Sequence, residues 1–414
     1  MKRKIKIFFI LFILLILYIY VTNITLLPNS IILLQGENLN LNTLWGINIK
    51  QEKTSNPNIG TYISNKLVEA SSDTNKENIG TETGKIDLSL NIFNNIKVKD
   101  VSVNVIPINS IIPLGNSIGL KLYTKGVLIV GMTDIDGIKP YENTGLKEGD
   151  RIVSINNNKI SSTDDLIETV NNSQGKEVII KYVRENSEIE TSITPKKTKE
   201  NEYKLGLWVR DAAAGVGTAT FYQPSTGLFG SLGHGITDID TGDLVTIANG
   251  ELVTTNIINI QKGERGKPGE IRGSIEGSNK IGEVSKNTSF GIFGKITNKN
   301  NLSSIGNEIE VLTRDKVKTG KAQIICELEI GKKKYYDIEI EKVYTNNNKD
   351  NKSMLIKVTD KELLEKTGGI IQGMSGSPII QDGKFVGAVT HVLINDPTTG
   401  YGVFADMMLK QMQF

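Results

Sequence analysis

A run of apolar residues opens the chain. Ile7 to Val21 is unbroken, and the run continues less purely through Thr22, Asn23 and Thr25 to Leu27. That length crosses a bilayer core with little tilt. Lys2, Arg3, Lys4 and Lys6 precede it, and no acidic residue occurs before Glu37. A basic flank stays on the cytoplasmic side, which sends the rest of the chain outside. A cleaved export signal has a similar look but needs small residues at the cut. The first alanine is Ala70, so residues 1–29 are expected to be an uncleaved signal-anchor. Between 30 and 97 the apolar pattern fades into Asn, Ser, Thr, Lys and Glu, above all from Gln51 to Lys85. Such a stretch buries too little apolar surface to offset its ordering entropy. A polar flexible tether is expected there, with Asp87 to Ile92 able to pair as a strand.

From Val101 the period shortens to two. Ser102 to Pro107 alternates like a strand. Ser117-Ile118-Gly119-Leu120 follows, then Gly126 to Gly131, then Gly145-Leu146-Lys147-Glu148-Gly149-Asp150-Arg151-Ile152. Ser162, with Asp165 three residues on, caps a helix through Leu166, Ile167 and Val170. Val178 to Arg184 is a closing strand. From about Leu205 to Phe414 short strands alternate with glycine turns, as in Val216 to Tyr222, the turn Gln223 to Gly227 and the return Leu228 to His234. Many short strands between turn signals suggest a barrel or a sandwich.

Composition narrows the chemistry. At about 150 residues per domain, 414 residues suggest two or three domains. Lys+Arg 48 against Asp+Glu 46 gives net +2, which offers no case for nucleic acid. A single cysteine excludes a disulfide framework and a cysteine-rich zinc site. Cys326 itself sits in an alternating run and is expected in a core or at an edge. His234 and His391 are the only two histidines. A His-rich metal site is excluded, and any chemistry that needs imidazole has two candidates. No metal or cofactor is called for.

The sharpest motif is Gln372-Gly373-Met374-Ser375-Gly376-Ser377-Pro378. Glycines around a serine permit a tight turn that exposes the hydroxyl, and nearby backbone N–H groups can face a developing oxyanion. The donors expected are those of Gly373 and Ser375. Ile379 to Val389 continues as strand, Asp-Gly turn and strand, a hairpin in itself. A serine hydroxyl needs a base near neutrality. His234 lies between two glycines after a strand, whereas His391 lies within an apolar strand. His234 is therefore the expected base, and His391 a core or cleft-wall residue.

Two resemblances follow from these residues. Residues 98–198 resemble a PDZ domain, through Ser117-Ile118-Gly119-Leu120 and the 145–152 block. The resemblance implies that Ile118, Gly119 and Leu120 hold a peptide C-terminus while the peptide adds as a strand. Gly-Ser-Leu-Gly-His-Gly-Ile-Thr-Asp at 230–238 and Gly-Gly-Ile-Ile-Gln-Gly-Met-Ser-Gly-Ser-Pro at 368–378, behind an anchor and a PDZ unit, resemble the sporulation stage IV B serine peptidases. The implied architecture is mainly β: a transmembrane helix, a PDZ domain, then a chymotrypsin-like double β-barrel over 199–414. The implied triad is Ser375, His234 and Asp360, the last by its place fifteen residues before Ser375. The residues themselves leave Asp238, Asp240, Asp396 and Asp406 open as well. Asp360 can equally cap a helix at Thr359-Asp360-Lys361-Glu362. An enzyme of this family is implied to cut itself and a membrane-bound regulator of an intramembrane protease, in the space between the forespore membranes. The alternatives are a PDZ scaffold that only binds, and an envelope quality-control protease of the HtrA type.

Overall fold

The computed structural model describes residues 2–27, 29–34, 47–55, 83–92, 96–106, 110–185, 187–302, 305–345 and 351–412. The helix Lys2–Leu26 contains a 19-residue span, Ile7–Thr25, long and apolar enough to cross a membrane.

The stretch expected to be a tether differs from that expectation. Ser30–Leu34, Ile47–Thr54 and Gly84–Ile92 join Ile96–Ile106 in a four-stranded sheet. Polar content concealed an alternation: Ile86, Leu88 and Leu90 face inward, fully buried with Val101, Val103 and Val105. The strand expected at 102–107 thus belongs to this sheet and not to the PDZ unit. Positions 35–46 and 56–82 lie outside the described residues.

The PDZ unit packs the helix Thr163–Asn172 over Arg151–Ile155, Val178–Arg184 and Ser187–Ile193. Ser162 and Asp165 form the expected capping box, which satisfies two amides that the first helical turn leaves without partners. Asp150 is fully buried. A buried carboxylate needs ionic and hydrogen-bonding partners, and it has them: both oxygens take the Arg184 fork at 2.7 Å, and Lys147 N–H donates at 2.9 Å.

Two six-stranded barrels follow. The first closes through Ser117–Met132, Ile247–Gln261, Glu270–Thr288, Gly291–Ile296, Leu228–Ser231 and Leu207–Tyr222, the last pairing back onto the first. The second closes through Gly320–Glu329, Lys332–Val343, Met354–Val358, Asp396–Phe404, Lys384–Leu393 and Pro378–Gln381. Cys326 is buried in the second core, where desolvation pushes its thiol far up. The expected hairpin turns at Asp382 and Gly383, both with positive φ, as a primed two-residue turn requires.

The PDZ unit and the first barrel share strands. Ser117–Met132 and Leu207–Tyr222 pair along most of their length. Their barrel ends are 117–124 and 212–222; their other ends flank the PDZ core. A division at 198/199 therefore crosses a shared sheet.

Candidate active site and peptide groove

The serine turn joins the helix Lys361–Thr367 to the strand Pro378–Gln381. Gly373 and Gly376 take φ values of +96° and +97°, a region that side chains other than hydrogen strain to enter. Four amides of the turn are committed: Gln372 N–H to Gly269 O, Met374 N–H to Ile371 O, Gly376 N–H to Val389 O and Ser377 N–H to Met374 O. Those of Gly373 and Ser375 have no acceptor among the described residues. Ile271 N–H donates to Gln372 O at 2.8 Å. In a trans peptide the carbonyl and the following N–H point opposite ways, so this bond aims Gly373 N–H away from the first barrel strand. Thr218 completes the clamp, with its hydroxyl on Gly373 O at 2.7 Å and its N–H on Ser375 O at 3.0 Å.

The histidine turn lies beside this clamp. Leu232 N–H donates to Thr218 O, and Gly233 N–H to Ser231 O at 2.9 Å with Leu232 at φ +67°, a γ-turn. A Cβ placed on Gly233 would lie 3.0 Å from the Thr390 methyl. Ser375 Oγ donates to Thr390 O at 2.8 Å. Both turns, 141 residues apart in the chain (375 minus 234), therefore close on the same residue. The next residue, His391, sets its ring 5.3 Å from that of His234. Both imidazoles line one cleft of about 680 Å³, with Ser289 and Asn351. His391 is exposed on the cleft wall. In this state the hydroxyl points to Thr390 O, and no hydrogen bond joins Ser375 to His234.

His234 Nδ1 lies 2.8 Å from Gly235 O. That carbonyl can only accept, so Nδ1 carries the proton and Nε2 keeps its lone pair. Desolvation by burial holds the imidazole below its ordinary pKa. His391 is lowered too, by desolvation first and then by the His234 and Lys352 charges.

Asp360 is not brought to the imidazole, which corrects the expected triad. Its Oδ1 accepts from Leu363 N–H at 2.9 Å and its Oδ2 from Asp337 N–H at 3.3 Å. It is the N-cap of the helix Lys361–Thr367, and the chain reaches Ser375 only after that helix and a double-glycine turn. Asp238 and Asp240 both bind Arg210, Asp396 binds Thr398 and Thr399, and Asp406 binds Arg314. Among the described residues no carboxylate bonds either histidine. Thr218 and Ile271 carried no signal in the sequence, because their bonds to the serine turn span the two barrels. Met374, one residue before Ser375, is fully buried.

Ile118, Gly119 and Leu120 lie at the start of the strand Ser117–Met132 and are paired on both sides, which corrects the expected peptide loop. Gly119 pairs with Val216 on one side and with Val253 on the other. Both edges are taken, so no peptide can add there. The groove of the PDZ unit lies elsewhere. It runs between Thr163, Ile167 and Val170 of the helix and Leu205-Gly206-Leu207. This second apolar-Gly-apolar triplet has φ +74° at Gly206. Among the described residues the N–H groups of Leu205 and Gly206 have no acceptor, and residues 207–216 of the following strand pair on one side only, with Ser117–Met132.

Residues 201–409 match the SpoIVB peptidase S55 family, and residues 113–194 match the PDZ domain family. The chain belongs to the SpoIVB peptidase S55 family. The PDZ match lies ahead of the peptidase match, and the chain spans about a quarter of the length of the curated relative it matches. Among curated proteins, zinc metalloprotease RasP of Bacillus licheniformis is 32% identical over 111 residues, which are 27% of this chain and 24% of that protein. Among solved structures, the active form of the Rv3671c protease of M. tuberculosis is 15% identical, covering 48% of this chain and 73% of that one at a TM-score of 0.27. The HtrA-type protease AlgW with a decapeptide is 12% identical, covering 51% and 53% at 0.28.

Proposed function

We propose that Ser375 is the nucleophile of this peptidase and His234 its general base. The observation that carries the reading is the meeting of both turns on Thr390. The Ser375 hydroxyl leaves the Thr390 carbonyl, gives its proton to His234 Nε2 and attacks the scissile carbonyl. The oxyanion falls to the N–H groups of Gly373 and Ser375, held open by Ile271 and Thr218. His234 returns the proton to the leaving amine, and water then resolves the acyl-enzyme by the reverse route. Gly235 O, not Asp360, fixes the tautomer.

An apolar N-terminal helix behind a basic flank supports a peptidase domain outside the cytoplasm. The biological reading is sporulation signalling: self-cleavage within the polar stretch between Thr54 and Gly84, then cleavage of a membrane-bound regulator of an intramembrane protease. In a sporulating strain, Ser375→Ala should leave the full-length chain uncut, the regulator intact and late mother-cell transcription silent. Normal transcription in that strain would overturn the signalling role.

The groove at Leu205-Gly206-Leu207 is the peptide-binding part of the PDZ unit. Ile167 is half exposed on its helix wall. Ile167→Asp should weaken an apolar C-terminal peptide about tenfold or more in fluorescence anisotropy, since losing one apolar contact of about 1.5 kcal/mol is worth that factor, with the melting temperature kept. Unchanged binding would remove the groove from the reading. Gly119→Ala acts differently, because its Cβ would lie 2.9 Å from both Ile275 and Val253 side chains. It should lower stability rather than affinity.

A further inference from the structure

The only two imidazoles of the chain stand side by side over the cleft, and the triad reading uses only one of them. We propose that His234 and His391 together bind a divalent cation of the zinc type, and that the ion switches the peptidase off. The second half of the proposal rests on His234 being the base.

Ring geometry carries the first half. Two imidazoles sharing one tetrahedral ion at metal–nitrogen distances of about 2.0–2.1 Å set their ring centres roughly 5–6 Å apart. The observed separation is 5.3 Å, with the planes inclined at 36°. His234 gives its Nδ1 proton to the Gly235 carbonyl, the arrangement that orients a metal-ligating imidazole and leaves Nε2 to the ion. Neither ring is held by a carboxylate among the described residues. The cleft is roomy enough for an ion with its waters, and Ser289 and Asn351 add neutral oxygen atoms to its wall. Lys352 is the nearby opposing charge; its ammonium lies over the Tyr401 ring at 5.5 Å.

No cluster of three or more His, Cys, Asp or Glu suited to a metal occurs among the described residues. Two protein ligands and water make a reversible site, which suits an inhibitor and not a resident cofactor. The inhibition needs no further chemistry. The lone pair that must take the Ser375 proton is donated to the metal instead, and a chelator returns it.

The full-length Ser375→Ala protein, which cannot consume itself, should take up one Zn²⁺ per chain in calorimetric titration. His391→Gln in that background should weaken uptake about tenfold or more, the loss of about 1.4 kcal/mol from one ligand, with the melting curve kept. Peptide hydrolysis by the wild type should fall on adding Zn²⁺ and recover with EDTA. The His391→Gln enzyme, each rate taken against its own zinc-free value, should resist. No uptake by Ser375→Ala, or uptake indifferent to His391→Gln in a folded protein, overturns the site. Uptake that depends on His391 together with a wild type that cleaves nothing would support the metal site and defeat the catalytic reading instead.

Discussion

His234→Ala should cost as much as Ser375→Ala, each lowering kcat on a peptide substrate by about 10⁵–10⁶. Nucleophile and base act as one unit, and losing either leaves only the oxyanion donors and binding. Asp360→Asn should behave quite differently. Asparagine caps a helix about as well as aspartate, and its one amide oxygen can keep the 2.9 Å bond from Leu363 N–H, giving up only the longer one from Asp337 N–H. A loss of less than about tenfold is expected, against about 10⁴ where an aspartate truly holds the imidazole. Purified proteins of equal melting temperature decide it. A 10⁴-fold loss in Asp360→Asn would mean that the carboxylate reaches the imidazole in the working enzyme. The pH profile supplies a second check. A base acts only when neutral, and desolvation lowers the His234 pKa. The acid limb of kcat/KM should therefore lie below the ordinary imidazole value of about 6.5, with activity kept above the limb and lost as pH falls through it.

The turns and caps around the candidate site are legible in sequence because they are local. Gly373, Ser375 and Gly376 declare a tight turn, Asp382-Gly383 a primed hairpin, and Ser162 with Asp165 a capping box; each forms within a few residues. What misled were features settled by distant pairing. Two apolar-Gly-apolar triplets exist, at 118–120 and at 205–207. Only strand partners decide between them: Gly119 is enclosed on both edges, while Leu207 keeps one edge free beside the Thr163–Asn172 helix. The family resemblance alone implies Asp360 as the triad acid, yet a seven-residue helix separates it from the serine turn, and the carboxylate caps its start. The sheet within 30–106 was hidden by polar composition, although Ile86, Leu88 and Leu90 alternate in full. Thr218 is the clearest omission. It has no local signature, yet one strand carries it from the peptide groove at Leu207 to the carbonyls of Gly373 and Ser375. The groove wall at Leu207 and the clamp on the serine turn thus share one strand.

Gly376→Ala should be severely damaging for so small a substitution. A Cβ there would lie 2.2 Å from Thr218 O and 2.5 Å from Leu232 N. Those two atoms are hydrogen-bonded to each other, at 3.2 Å, and their bond ties the strand that clamps the serine turn to the turn that carries His234. The methyl group would have to part them. Strain at φ +97° adds about 1–3 kcal/mol, and overpacking about 1–3 more. A loss of about 3–5 kcal/mol should lower the melting temperature by about 10 °C and, in whatever remains folded, separate base from nucleophile. Gly383→Ala is the matched control. It also has a positive φ, +75°, but nothing lies within 4 Å of its added carbon, so only about 1–2 kcal/mol of backbone cost is expected, with kcat kept. Equal melting temperatures for the two variants would show that the serine and histidine turns do not depend on this contact.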